Sequence, residues 1–213
     1  MIASKPISTE EIRSALGDYG FQADGEYCAR VVAYVELLLR WNRKMSLTAV
    51  TEPLEVVKFH FGESLVGIAA AGIENGRLAD LGSGAGFPGL PIAMAKPGLQ
   101  ATLIESNARK AVFLAEVRRE LALANVTIRR GRFEGFSDGG GFDFLTARAL
   151  GEHKEVLKWS ADHLESGGRS VLWVGSEALA EIECVSGWEW NDPVRIPGTN
   201  DRFVAVGRVR RAV

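Results

Sequence analysis

The stretch Leu78-Ala79-Asp80-Leu81-Gly82-Ser83-Gly84-Ala85-Gly86-Phe87-Pro88-Gly89-Leu90-Pro91 constrains the chain more than any other. An apolar run meets an acidic residue, breaks into three alternate glycines, and enters a segment whose prolines suit a first helical turn. That order reads as buried strand, tight loop and helix N-terminus. Glycines let the backbone approach a ligand closely, and the helix start offers unpaired N–H groups with a partial positive charge. The spacing argues against two familiar phosphate loops. A dinucleotide fingerprint needs a third glycine where Phe87 stands, which disfavours a nicotinamide oxidoreductase, and no Lys-Ser/Thr follows to make a P-loop. By itself the loop also suits a glycine-rich turn in another α/β protein.

The rest of the chain supplies the context. Ser8-Thr9-Glu10-Glu11 fits a capping box, with Ile12, Ala15, Leu16 and Tyr19 following at helical spacing. A second amphipathic helix runs through Val31, Val35 and Leu38 to Trp41. Residues 1–70 are therefore expected to form a helical extension ahead of one compact ligand-binding unit, residues 71–213. Lys58 to Leu65 reads as a loop plus a helix packed on the core. From Arg77 onward strand and helix alternate. Strands are expected at Leu78–Leu81, Ala101–Ile104, Val126–Arg130, Phe142–Thr146 and Ser170–Val174. A Gly139-Gly140-Gly141 turn precedes the fourth of these. One intervening helix turns Val112, Phe113, Val117 and Leu121 inward, and another, around Val156–Leu164, stops at Ser166-Gly167-Gly168. This alternation predicts an α/β fold, a mostly parallel sheet with helices on both faces and a ligand at the carboxyl ends of its strands.

Composition narrows the class. With 213 residues, 46% hydrophobic and 24% charged, the chain can bury one ordinary core. Its longest apolar runs fall far short of a membrane span and no charged-then-apolar stretch opens it, so a cytoplasmic protein is expected. Cys28 and Cys184 lack any Cys-x-x-Cys or nearby histidine spacing, which predicts reduced, buried thiols and no metal site. A net charge of -2 does not announce a nucleic-acid binder.

Asp80-x-Gly82-x-Gly84-x-Gly86 resembles motif I of the class I S-adenosylmethionine (SAM) methyltransferases, whose sheet is Rossmann-like. In that setting Glu105, at the end of the second strand, can accept both ribose hydroxyls of a nucleoside cofactor. Arg132-Phe133-Glu134 ends the next strand and can border an adenine. Arg148 follows the fourth strand, facing the expected place of the methyl donor. Of the histidines, His153 and His163 read as exposed helix residues, and His60 as structural or substrate-facing.

Longer segments carry a more specific likeness. Trp41-Asn42-x-Lys44-x-x-Leu47-Thr48-Ala49, His60-x-x-Glu63-Ser64-Leu65, Asp80 to Gly89, Glu105-Ser106-Asn107-x-x-Lys110-x-x-Phe113-Leu114, Gly131-Arg132-x-Glu134 and Arg148-Ala149 cover most of residues 35 to 175. Together they resemble the RsmG (GidB) family, bacterial 16S ribosomal RNA methyltransferases that make 7-methylguanosine. The resemblance implies SAM as cofactor, held at Gly82, Gly84, Phe87, Glu105, Ser106, Asn107, Phe133, Glu134 and Arg148. It implies 16S RNA or the small ribosomal subunit as partner, with a monomeric enzyme expected.

Three positions depart from that pattern. Glu63 stands where the family usually has aspartate. Val174-Gly175 replaces a Lys-Gly after the fifth strand, and the chain end lacks a proline- and lysine-rich basic segment. The last two remove cations from the substrate side. No catalytic acid–base residue is expected, because nitrogen seven of guanine carries a free lone pair and no proton; Arg148 is the active-site side chain to watch. Arg40, Arg43, Lys44, Arg109, Lys110, Arg129, Arg130, Arg132 and the C-terminal arginines are candidate phosphate contacts, expected to flank one mouth of the cleft. Phe87 or Trp41 can stack on a base or belong to the core. A small-molecule methyltransferase and a non-catalytic SAM-binding regulator are the alternatives.

Overall fold

The computed structural model describes residues 7–136 and 141–210. Helix α1 (Thr9–Gly17) starts where the capping box predicts, with the Ser8 side chain accepting from the Glu11 N–H and Glu11 reaching back to the Ser8 N–H. Helix α2 (Gly25–Asn42) buries Val31, Tyr34, Val35 and Leu38. Next comes one continuous helical stretch: α3 (Pro53–Val56), a π-helical turn (Val57–Gly62) and α4 (Glu63–Ala71). No loop interrupts it, contrary to the reading of Lys58 to Leu65. The wide turn rotates the helix so that His60 and Glu63 meet the same neighbour, Arg148.

Among the described residues eight strands make one sheet: β1 (Gly76–Leu81), β2 (Leu99–Glu105), β3 (Val126–Arg130), β4 (Phe142–Arg148), β5 (Leu164–Gly175), β6 (Trp188–Trp190), β7 (Val194–Arg195) and β8 (Arg202–Val209). Their order is β3-β2-β1-β4-β5-β8-β6, with β7 also paired to β8. The first five strands of that order run parallel, and β8 joins β5 antiparallel. Helices α5 (Gly89–Ala95), α6 (Ala108–Glu120), α7 (His153–His163) and α8 (Ser176–Glu183) complete the layers. One cluster of buried side chains runs from Ile12 and Leu38 through Leu78, Phe113 and Val171 to Val206, joining the N-terminal helices to the sheet. A second, around Leu145, Trp159 and Leu172, fills the other face. Two apolar faces on a central sheet are what buried parallel strands require.

The structure corrects several local expectations. Val112 is 58% exposed, while Ala111, Phe113, Leu114 and Val117 are buried. The 3.6-residue period puts Leu114 on the Phe113–Val117–Leu121 stripe and swings Val112 off it. Ser166-Gly167-Gly168 ends no helix, because α7 passes directly into β5 at Leu164. The strand register instead shifts there, Phe142 pairing with Leu164 and Phe144 with Arg169. A Cβ on Gly168 would come within 2.9 Å of the Phe142 carbonyl, so the glycine serves a close backbone approach. His153 and His163 are half-buried, His163 stacking on Trp159 at 3.7 Å. Cys28 is buried as expected, but Cys184 is exposed. Of the triple-glycine turn, Gly139 and Gly140 lie outside the described residues, as does Arg211.

Candidate active site

The register places the site. Leu81 pairs with Ile104 on one side and with Ala147 on the other, so the residues that follow (Gly82, Glu105 and Arg148) emerge at one edge of the sheet. This is the switch point where an open α/β sheet reverses its winding and where ligands bind. A cleft of about 360 Å³ opens there between the glycine loop, Glu105-Ser106, Lys110, Arg148-Ala149-Leu150 and His60.

The loop is built around Ser83. Its N–H donates to the Ile104 carbonyl at 3.1 Å, its hydroxyl donates to the Asp80 carbonyl, and its own carbonyl accepts from Gly86 and Phe87 N–H groups. Gly84 has φ 58°, and a Cβ there would meet only the Gly82 carbonyl, at 3.8 Å. That leaves open space for a ligand against the backbone. Gly86 (φ 91°) serves packing instead, since a Cβ would sit 2.4 Å from the Tyr34 hydroxyl. Beneath the loop Asp80 is fully buried and accepts from the Thr146 hydroxyl at 2.8 Å. Burial pushes its carboxyl up to about 6.

Glu105 is 5% exposed. One carboxylate oxygen accepts from the Gly84 N–H at 2.8 Å and the other from the Asn107 N–H at 2.6 Å. Each oxygen keeps acceptor capacity beyond its one backbone donor, enough for a pair of vicinal hydroxyls. A nucleoside cofactor therefore fits: open backbone at Gly84 and a fixed, doubly anchored acceptor beside it.

The residues expected to hold the cofactor fall into two groups. Gly82, Gly84, Phe87, Glu105, Ser106 and Arg148 border one cleft. Asn107, Phe133 and Glu134 are not among its lining residues. Asn107 caps α6, its side-chain oxygen accepting from the Arg109 and Lys110 N–H groups. The Phe133 ring packs on Trp159 within the second core cluster. Glu134 pairs with Arg132 at 2.6 Å, and that hydrogen bond lowers its carboxyl. Phe87 borders the cleft but is 8% exposed, its ring between Tyr34 (centroids 5.4 Å apart) and His60 (4.7 Å). Trp41 packs edge-on against Phe113 and donates its indole N–H to Glu116.

On the far side of the cleft a charged network surrounds Arg148. Its Nη2 lies 3.0 Å from His60 Nδ1. A guanidinium has no lone pair to offer, so Nδ1 is the acceptor and Nε2 carries the proton, which it donates to the Thr48 hydroxyl oxygen at 2.7 Å. Burial and the neighbouring Arg148 lower the imidazole to about 4, in keeping with a neutral ring. Arg148 Nη1 faces Glu63 at 3.7 Å, and Arg202 from β8 reaches the same carboxylate at 2.6 Å. Burial pushes the Glu63 carboxyl up while both guanidiniums oppose the shift.

Glu63 was not anticipated as a site residue, and Arg202 only among the C-terminal arginines offered as phosphate contacts. One signal was available: Glu63 is the only charged residue in Glu63–Ala71, which is apolar apart from it and Ser64, so burying it demands a cation from elsewhere. Arg202 carried no local signal, because β8 brings it in from the end of the chain. It stands opposite Gly175 in the register, a cation beside the place where the Val174-Gly175 departure removed one. Among the described residues no three His, Cys, Asp or Glu side chains are grouped to hold a metal, and no helix is long and apolar enough to cross a membrane.

Comparison with known proteins assigns the family. The family model described as rRNA small subunit methyltransferase G matches residues 27–188. A protein named ribosomal RNA small subunit methyltransferase G from Xanthomonas campestris pv. campestris (strain B100) is 38% identical over 194 residues, covering 88% of this chain and 90% of its own. Its namesake from Xanthomonas axonopodis pv. citri (strain 306) is 38% identical over 202 residues, covering 92% and 94%. Among solved structures, the ribosomal protein L11 methylase of Lactobacillus delbrueckii subsp. bulgaricus superposes with a TM-score of 0.61 at 18% identity, over 72% of this chain and 80% of that one. That likeness shows the Rossmann-like α/β fold of class I methyltransferases. The chain belongs to the rRNA small subunit methyltransferase G family.

Proposed function

We propose that this chain transfers the methyl group of SAM to nitrogen seven of one guanine in the 16S RNA of the small ribosomal subunit. The observation that carries this reading is the shared edge: the Gly84–Glu105 cradle and Arg148 border one cleft at the β1/β4 switch point. Gly82, Gly84, Glu105 and Ser106 would hold the cofactor, with the Glu105 carboxylate on the ribose hydroxyls. Bound SAM supplies a methyl group activated by its sulfonium charge. The nitrogen of guanine brings its own lone pair, so the protein's contribution is alignment of donor and acceptor. His60 spends both ring nitrogens on Thr48 and Arg148, which suits holding Arg148 rather than moving a proton.

Basic residues support an RNA partner. Arg40, Lys44 and Arg109 share a hollow of about 410 Å³ with Trp41, Met45 and Glu116, and the next residue, Lys110, lines the cofactor cleft. Phosphates tracked along this stripe would lead a nucleotide toward the site. Residues 1–70 act in this reading as an RNA-facing extension of the catalytic unit, residues 71–213, in a cytoplasmic monomer. Small subunits from cells lacking the modification, incubated with methyl-labelled SAM, test the proposal. Label is expected in the 16S RNA. Unlabelled RNA from a protein that demonstrably binds SAM would overturn it.

A further inference from the structure

The cofactor cleft has a neighbour. Arg148 and Ala149 also line a second cavity, of about 270 Å³, walled by Trp173, Val174 and Ile196 and bordered by Glu63 and Arg202. Nothing in the cofactor reading uses it.

Its charges are arranged in an unusual way. The Glu63 side chain is 2% exposed and sits between two guanidiniums, Arg202 at 2.6 Å and Arg148 at 3.7 Å. One carboxylate and two arginines leave a formal charge of +1. The trio is not closed on itself, since Arg148 Nη1 is buried with no hydrogen-bond partner in the structure. Burying such a set is a weak source of stability, because desolvation offsets most of the Coulombic gain. Ala149, at the seam of the two cavities, has φ 56°, a left-handed conformation that a residue with a Cβ rarely adopts. Backbone strain of this kind persists where the surroundings enforce it, often beside functional groups.

The members differ in what they can reach. Glu63 is sealed, whereas the Arg202 side chain is 38% exposed, with its guanidinium 5.7 Å above the Phe59 ring. The surplus cation therefore stands at the rim, with apolar side chains behind it. A rim cation fits a phosphate, and an apolar wall fits the face of an unstacked base.

We propose that this second cavity receives the acceptor nucleotide, with Arg202 on its phosphate, and that Glu63 is the positioning residue holding Arg148 and Arg202 on either side of it. This rests on the methyl-transfer reading above for the identity of the substrate. It adds a substrate site, a rim contact and a reason for the buried carboxylate.

The test compares wild type with Arg202→Ala, Arg202→Lys and Glu63→Gln. Each is assayed for methyl transfer to small-subunit RNA across a salt series, for SAM affinity by calorimetry, and for folding by thermal melting. Arg202→Ala should raise the KM for RNA about tenfold, leave kcat and SAM affinity within twofold, and flatten the log–log salt dependence by about 0.7, the value for one lost single-strand phosphate contact. Arg202→Lys should restore the salt slope. Glu63→Gln should lower kcat as well as raise KM, with SAM affinity unchanged; if it fails to fold, the two Arg202 variants still decide. In a separate arm, guanosine 5′-monophosphate is titrated into each protein saturated with S-adenosylhomocysteine. Binding weakened about tenfold by Arg202→Ala upholds the pocket even if wild type labels no RNA, which would defeat only the methyl-transfer reading. Normal RNA methylation with unchanged KM and salt slope in Arg202→Ala overturns the pocket and leaves that reading standing. A wild type that neither labels RNA nor binds the nucleotide overturns both.

Discussion

Replacing Glu105 with glutamine is the sharpest perturbation of the proposed cofactor site, and its cost follows from hydrogen-bond counting. Both carboxylate oxygens accept from backbone N–H groups, Gly84 at 2.8 Å and Asn107 at 2.6 Å. Glutamine offers one oxygen and one NH2. Either orientation of the amide therefore sets two donors face to face, at Gly84 or at Asn107. Glu105 is 5% exposed, so water cannot readily take over as acceptor. An unsatisfied buried donor costs about 1–3 kcal/mol. For a chain of this size a loss near 2 kcal/mol lowers Tm by about 4–8 °C. The same change removes a charged acceptor from the ribose hydroxyls, a bond worth about 1.5–3 kcal/mol. SAM affinity should fall about ten- to hundredfold. Calorimetric titration of SAM into wild type and Glu105→Gln reads the second effect, and thermal melting the first. A variant that binds SAM within threefold of wild type would refute the placement of the ribose on Glu105.

Other perturbations probe other parts. The Tyr34 hydroxyl donates to the Ala85 carbonyl inside the core; Tyr34→Phe should cost about 1 kcal/mol in urea unfolding, because a buried acceptor loses its donor. Val112→Lys should change stability by no more than about 0.5 kcal/mol, as befits an exposed position, whereas Leu114→Ala should cost about 2–5 kcal/mol. For pH, His60 and Asp80 oppose each other. With its imidazole lowered to about 4, His60 is protonated in the unfolded chain first, so its contribution to stability is lost as pH falls from 6.5 toward 4. Asp80, raised to about 6, takes its proton in the folded state first and stabilises as pH falls over nearly the same window. Removing the imidazole unmasks this: the destabilisation caused by His60→Asn at pH 7 should shrink by about 2 kcal/mol at pH 5, measured by urea unfolding at both values.

Much of the site could be read from the chain because its parts obey local rules. The Asp80 to Gly89 loop announces its own conformation through glycine and proline. Glu105 and Arg148 each follow an apolar strand, and parallel register brings the ends of β1, β2 and β4 to one edge without further information. The capping box at Ser8 is equally local. What escaped depends on distant partners. The π-helical turn at Val57–Gly62 has no composition of its own, and the partners that its His60 meets, Phe87 and Arg148, lie far along the chain. Glu63 was legible only as a departure from the family's aspartate, and its burial makes sense only once β8 delivers Arg202. Phe133 was read as a cleft residue from its place after β3, but Trp159 of α7 offers its ring a core site. Gly167 and Gly168 looked like a stop, a meaning that glycines share with close-approach positions in a strand.

Methyl transfer to nitrogen seven of a single guanine is tested most directly by mapping the product. Small-subunit RNA treated with the protein and SAM is reduced with borohydride and cleaved with aniline, which breaks the chain at 7-methylguanosine, and the fragments are read by primer extension. One new stop, absent without SAM and absent from untreated RNA, is the predicted result. Methyl label in the RNA without that cleavage would place the methyl on another atom and contradict transfer to nitrogen seven.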